Sequence, residues 1–469
     1  MRRTCAVLAA WVGLSIGAAE AAEKDLASRL DGALQNRALQ GAQVGALVVS
    51  RDDGRVLYQR AADRALVPAS NQKILTSIAM LSALGPTYRF TTEVFADAPI
   101  DAEGGVGVLA IRGHGDPALT SEQMWRLAAD LRLLGLRRVR QGLLLDASAF
   151  DDERWHPSWG AISARAYHAP VAALSANYGA FSVTVEPGAK TGEPARVRLD
   201  PPVPYLRLKN QASTGGRRAP VTLAVDRKIV GIAEDVVVSG VIRVSSDRKD
   251  YYKSVIDPVR YAGSVLRMQL EANGITVEGE NRLGRVGDSM TSLLEFEGKS
   301  LADIVKLFLK YSSNPMGEGL VKALDVHNGG VGSWSTGVAA LRTELARLGL
   351  DVDRLSIVDG SGLSYQNRVT PRALVSALRI GEASFRFGPE FLAALPIAAA
   401  DGTLEERAAG AAHQVRAKTG LLTRITSLSG YAETADGEQR VFSILVNGFN
   451  RTDEEAMDAV DLFAGELVN

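Results

Sequence analysis

Cysteine is almost absent: one of 469 residues, Cys5. It lies in an apolar stretch from Cys5 to Ala18 that follows Arg2 and Arg3 and leads into Ala19-Glu20-Ala21. A charged start, an apolar middle and small residues at the cleavage positions predict a secretory signal peptide over residues 1–21. The mature chain then has no thiol, which excludes disulfides, thiolate zinc sites and a cysteine nucleophile. An excess of one charge is also lacking, with Lys+Arg 53 against Asp+Glu 54 and a formal net charge of -1. That balance argues against a nucleic-acid scaffold or a polybasic membrane binder, and 46% hydrophobic residues argue against a disordered chain. After the signal no uninterrupted apolar run reaches the roughly 18 residues of a membrane span. An exported, unanchored protein is expected.

Histidine is scarce too. His114, His156, His168, His327 and His413 show no His-Glu-x-x-His or other ligand spacing, so no metal site is expected. The Gly-x-Ser-x-Gly turn of elbow-type serine hydrolases occurs only as Gly13-Leu14-Ser15-Ile16-Gly17, inside the signal. No spacing points to a Ser-His-Asp triad.

The length suggests about three domains. Gln43 to Ser50 and Arg55 to Gln59, joined across Arg51-Asp52-Asp53-Gly54, read as a β-hairpin. A helix begins near Ser70, carries Ile74, Ile78 and Leu81 at helical spacing, and stops at Gly85-Pro86. Thr423 to Ala432 and Arg440 to Asn447 are strand-like, joined by Ala435-Asp436-Gly437, and Thr452 to Leu467 reads as an acidic packing helix. Both ends therefore look like parts of one α/β unit, assigned to residues 22–90 and 291–469. Residues 91–290 differ, with short strand-like runs at Val106 to Arg112, Gly142 to Asp146, Phe181 to Val185 and Val236 to Val244. One amphipathic helix, Ser121 to Leu134, interrupts them before Gly135. The region reads as a strand-rich insertion of two small nested domains. Helices return at Leu301 to Tyr311, with Ser300 and Asp303 at capping-box spacing, after Pro315, and after Ser335.

Three short patterns carry chemistry. Ser70-Asn71-Gln72-Lys73 puts a hydroxyl at a helix start and an amine one turn later on the same face, a nucleophile beside a base. Ser312-Ser313-Asn314 ends an amphipathic helix and adds a second hydroxyl and an amide. Lys418-Thr419-Gly420 precedes a strand; Gly lets the backbone approach a substrate, while Lys and Thr can hold a carboxylate. Each pattern recurs elsewhere, as Ser246-x-x-Lys249, Ser175-x-Asn177 and Lys190-Thr191-Gly192. Only the set at 70, 312 and 418 falls in the terminal α/β unit in the order helix start, helix end, strand start.

That trio is the signature of penicillin-recognising serine enzymes. The chain resembles the class C low-molecular-mass penicillin-binding proteins, the serine-type D-alanyl-D-alanine carboxypeptidase/endopeptidase family with a large insert between the first two motifs. The long interval from Lys73 to Ser312 fits, as do Gly113-His114-Gly115-Asp116-Pro117, Asp359-Gly360-Ser361-Gly362-Leu363-Ser364, Leu395-Pro396, Asp401-Gly402-Thr403-Leu404 and Ala417-Lys418-Thr419-Gly420. Two positions depart from the usual pattern: Ser313 stands where Asp is common, with Pro315-Met316-Gly317 following Asn314, and Leu421 stands where Thr is common.

The resemblance implies an α/β fold: a penicillin-recognising transpeptidase-like domain, an antiparallel sheet flanked by helices, with a strand-rich insert forming one or two extra domains. It implies Ser70 as nucleophile, Lys73 as base and Ser312 as proton relay. Asn314, Lys418, Thr419, Gly420 and Leu421 would bind substrate, with the backbone N–H groups of Ser70 and Leu421 as an oxyanion hole. Peptidoglycan stem peptides and β-lactams are the implied ligands, periplasm the implied compartment, and no cofactor is implied. Two other readings stay open, a non-hydrolytic peptidoglycan-binding protein and an esterase or β-lactamase on the same scaffold.

Overall fold

The computed structural model describes residues 24–469; the expected signal peptide, with Cys5, lies outside them. The chain divides into two compact units. The first holds the described residues up to Pro86, then Val305–Ser312 and Leu341–Asn469; the second holds Thr87–Ile304 and Ser313–Ala340.

The first unit is built on five antiparallel strands, β1 (Gln43–Ser50), β2 (Val56–Arg60), β3 (Val415–Leu422), β4 (Ile425–Glu433) and β5 (Gln439–Asn447). Their order is β3-β4-β5-β1-β2, so the two ends of the chain meet where β1 pairs with β5. β1 is apolar on both faces, as a strand covered on both sides must be. Val44, Ala46 and Val48 join Phe442, Ile444 and Val446 against a helix over 24–34. Further helices include α1 (Gln72–Leu84), α2 (Leu301–Tyr311, of which the part from Val305 belongs to this unit), α3 (Pro371–Ala383) and α4 (Asp453–Glu466). α4 buries Ala459, Val460 and Phe463 in the same core as that terminal helix. α3 covers the opposite face, where the Tyr431 hydroxyl donates to the Leu378 carbonyl at 2.7 Å.

Two expectations need correction. Lys418-Thr419-Gly420 lies inside strand β3 and not before a strand. Leu422 already pairs with Ile425, so Thr423 and Arg424 alone make the hairpin turn, with Arg424 at φ 60°, and the strand runs through the motif to reach them. Asn314 does not end the preceding helix; it opens the next one, Asn314–His327. Pro315 has no N–H and is tolerated only in a first helical turn, so the new helix must start beside it. Ser312, at φ 56°, is a left-handed residue between the end of one helix and the start of the next.

In the second unit, a five-stranded sheet has the order Arg282–Leu283, Leu143–Asp146, Leu109–Gly113, Arg89–Ala96, Thr291–Ser300, and three smaller sheets accompany it. The strand expected from Val106 to Arg112 is two pieces in different sheets, Gly105–Val106 and Leu109–Gly113. Nor is Ser121–Leu133 the region's only helix: Pro258–Ala272 is a second. Its start was legible, since Asp257 accepts from the Val259 and Arg260 N–H groups and Pro258 occupies the first turn. Among the described residues no helix is long and apolar enough to cross a membrane.

Candidate active site

Ser70 sits in a single tight turn, Ala69–Asn71, that runs directly into α1. Lys73 follows one turn later, and its Nζ lies 2.8 Å from Ser70 Oγ. The lysine is fully buried, donates to the Ser361 carbonyl at 2.7 Å, and has the Phe308 ring of α2 5.9 Å away. The loop supplying that carbonyl is rigid for a visible reason. Asp359, itself buried, accepts from Gly362 N–H (2.8 Å), Ser364 N–H (2.7 Å) and Asn367 Nδ2 (2.8 Å). Gly362 has φ 82°, and a Cβ there would stand 1.9 Å from the Ala69 carbonyl oxygen. The loop is therefore pressed onto the Ser70 turn, and only glycine permits both the conformation and the approach.

Strand β3 is the sheet edge that meets this turn. Asn71 Nδ2 donates to the Lys418 carbonyl (3.1 Å) and to Ser427 Oγ (2.8 Å), and Ser427 Oγ donates to the Pro68 carbonyl (2.7 Å). Gly420 pairs with Ser427; a Cβ on it would lie 2.2 Å from Ser427 Oγ and 3.0 Å from both Pro68 O and Ser70 N. The Ala417 N–H points away from β4 and donates to Pro396 O at 2.9 Å. The alternation of an antiparallel edge sends the Leu421 N–H to that same outer side. The Leu421 side chain is exposed, so its departure from threonine leaves this backbone group in place.

Lys418 is fully buried, with Nζ donating to the Thr419 carbonyl at 2.9 Å. Among the described residues no carboxylate pairs with it. Burial, then repulsion from Lys73 and Arg407, pushes its ammonium well below the ordinary lysine range. A buried cation without a counter-charge is costly, and an arriving anion would supply what it lacks. Thr419 Oγ1 lies 2.7 Å from Thr403 Oγ1.

Ser312 is half-buried at the end of α2. One turn's neighbour, Lys310, anchors that helix end by donating to Leu395 O (2.7 Å) and to both Asp401 oxygens (2.6 and 2.5 Å). Asn314 belongs to the second unit, where it is buried and its Nδ2 donates to the Tyr167 carbonyl at 3.2 Å. The structure thus gathers Ser70, Lys73, Lys418 and Gly420 around one turn. Asn71, Ser427, Ser361 and Thr403 hold that group together, and sequence reasoning assigned them no role. Asn71, Ser361 and Thr403 lie within segments already singled out in the sequence, although Thr403's partner Thr419 emerges only in the fold; Ser427 becomes legible only through the strand register. Among the described residues no group of three or more acidic or histidine side chains could hold a metal ion.

The sequence pattern of the D-Ala-D-Ala carboxypeptidase 3 (S13) family matches residues 26–467. The chain belongs to this family. Within it, the chain is 35% identical over 442 residues to a D-alanyl-D-alanine carboxypeptidase of an Actinomadura species, covering 90% of this chain and 81% of that protein. It is 25% identical over 433 residues to the D-alanyl-D-alanine carboxypeptidase DacB of Haemophilus influenzae, covering 89% and 88%. The crystal structure of penicillin binding protein 4 from H. influenzae matches with a TM-score of 0.78 at 23% identity, over 93% of this chain and 97% of that one. The penicillin-recognising fold expected from the sequence is the fold observed.

The three repeated patterns lie elsewhere in this family member, all in the second unit. Asn177 caps a helix, accepting from the Ser121 N–H at 2.8 Å, and Gly192 occupies a turn at φ 92°. Ser246 follows a strand in a turn closed by its N–H to the Arg243 carbonyl.

Proposed function

We propose that this carboxypeptidase works through an acyl-enzyme on Ser70, acting on peptidoglycan stem peptides that end in D-alanyl-D-alanine. The observation that carries the reading is the 2.8 Å contact between Ser70 Oγ and the buried Lys73 amine, at the edge of a strand that offers an unpaired cation. Ser70 Oγ attacks the carbonyl carbon of the penultimate residue while the Lys73 amine takes the hydroxyl proton. The resulting oxyanion is held by the N–H groups of Ser70 and Leu421. Collapse breaks the C–N bond. Ser312 passes a proton to the departing nitrogen, D-alanine leaves, and water hydrolyses the ester to regenerate Ser70. Lys418 and Thr419 hold the terminal carboxylate, and Asn314 keeps the role the motif gives it, orienting the peptide amide.

The first unit is read as the catalytic domain, with the strand-rich region inserted into it and the protein exported to the periplasm. β-Lactams acylate Ser70 in this reading because their strained amide meets the same groups. The departures at Ser313 and Leu421 bear on rate and peptide preference, not on the reaction class. Terminal trimming and cleavage of cross-links use the same nucleophile, and digestion of cross-linked and uncross-linked muropeptides distinguishes them.

Intact-protein mass after incubation with a penicillin is the test. The native chain gains one drug mass, Ser70→Ala gains none, and Ser246→Ala behaves as native. An adduct on folded Ser70→Ala would overturn the assignment, and native protein that neither forms an adduct nor releases D-alanine would favour the non-hydrolytic reading.

A further inference from the structure

We propose that Thr403 is a positioning residue for the substrate carboxylate, setting the direction of the Thr419 hydroxyl from behind. This rests on the reading above, in which Thr419 meets the carboxylate.

Thr419 is 7% exposed, and a buried hydroxyl has one proton and two acceptor sites. Its Oγ1 lies 2.7 Å from Thr403 Oγ1, and one of the two hydroxyls must donate to the other. If Thr419 donates, its only proton is spent on Thr403. If Thr403 donates, the Thr419 proton is free for an anion. A bound carboxylate selects the second arrangement, and a hydroxyl that already accepts a hydrogen bond is a stronger donor.

Thr403 can do this only if its loop is fixed relative to β3, and three contacts fix it. Asp401 receives both hydrogen bonds from Lys310 and accepts from the Ile397 N–H at 2.8 Å. Pro396 O accepts the Ala417 N–H, which ties the loop to the strand that carries Thr419. Gly402, at φ 59°, lies so close to α2 that a Cβ would come within 2.7 Å of the Lys310 carbonyl oxygen. The same clamp therefore registers the helix end that bears Ser312 and the loop that bears Thr403.

The test compares Thr403→Val, Thr403→Ser and Thr419→Val on two peptides, one ending in a free D-alanine carboxylate and one in its methyl ester. Thr403→Val is expected to lower kcat/KM on the free acid about five- to tenfold, the effect of losing one hydrogen bond to a charged group's partner, with KM carrying most of the change. The ester should respond less than twofold, and Thr403→Ser should restore the native preference. An equal loss on acid and ester, or no loss on either, overturns the proposal. If Thr403→Val does not fold, Thr403→Ala removes the same hydroxyl and is read in the same way. Thr419→Val is the control on the underlying reading: if it does not discriminate acid from ester, the carboxylate role of Thr419 falls, whatever position 403 does.

Discussion

Gly420→Ala is the sharpest perturbation of the site, because the structure states what the added methyl would meet. Its carbon would stand 2.2 Å from Ser427 Oγ and 3.0 Å from Pro68 O and from Ser70 N. An ordinary non-bonded separation is about 3.5 Å, so Ser427 must give way by about 1.3 Å, and β3 and the Ser70 turn must part by about 0.5 Å. Movement of Ser427 alone is no escape. Ser427 Oγ donates to Pro68 O and accepts from Asn71 Nδ2, and the two backbone contacts would persist after it moved. A displacement of about 1 Å in a reacting geometry costs on the order of 100-fold in rate, so about half of that is expected to cost on the order of tenfold, about 1.4 kcal/mol of barrier. The overpacking itself should lower stability by about 1–3 kcal/mol. Single-turnover acylation by a fluorescent penicillin, normalised to folded protein and run alongside thermal unfolding, separates the two effects. A folded Gly420→Ala enzyme that acylates at the native rate would refute the argument that the strand must touch the turn for the chemistry to proceed.

Lys418→Met removes a buried amine that has no carboxylate partner, so the ligand-free protein is expected to be at least as stable at neutral pH while losing cleavage of substrates with a free terminal carboxylate. Urea unfolding and peptide hydrolysis read the two, and a destabilised variant would contradict the account. In the second unit, burial pushes the Asp116 carboxyl up to about 6, against the Ala118 N–H and the Lys299 charge that pull it down. One of its oxygens, Oδ2, has no hydrogen-bond partner. Because the folded value lies above the unfolded one of 3.8, this group's contribution to stability is complete below about pH 4 and is lost as pH rises through about 6, by about 3 kcal/mol. The stability of native protein relative to Asp116→Asn should therefore fall between pH 4 and pH 7, and a difference constant across that range would remove Asp116 from the titration.

Much of this protein was legible in its sequence because local rules sufficed. The hairpin β1–β2, the start and stop of α1, the Ser300–Asp303 cap and the acidic terminal helix follow from turn residues, caps and helical spacing, which act over a few residues. Ser70 and Lys73 were readable together for the same reason, being one helical turn apart. Local rules also account for what was missed and could have been found, such as the capped start of Pro258–Ala272. They could not separate Ser246-x-x-Lys249 from Ser70-x-x-Lys73, which differ only in what surrounds them.

The sequence by itself determined the family, the pairing of Ser70 with the Lys73 amine, and the kinds of side chain the candidate site gathers. Tertiary structure alone decided that Gly420 is required by the backbone of the Ser70 turn as well as by any substrate, since Pro68, Ser70, Gly420 and Ser427 meet only when distant strands register. It alone joined Thr403 to Thr419 and the Asp359 loop to Lys73. Helices and turns are specified by near neighbours, whereas burial, an unpaired charge and a 3 Å contact across hundreds of residues exist only once the sheet has closed.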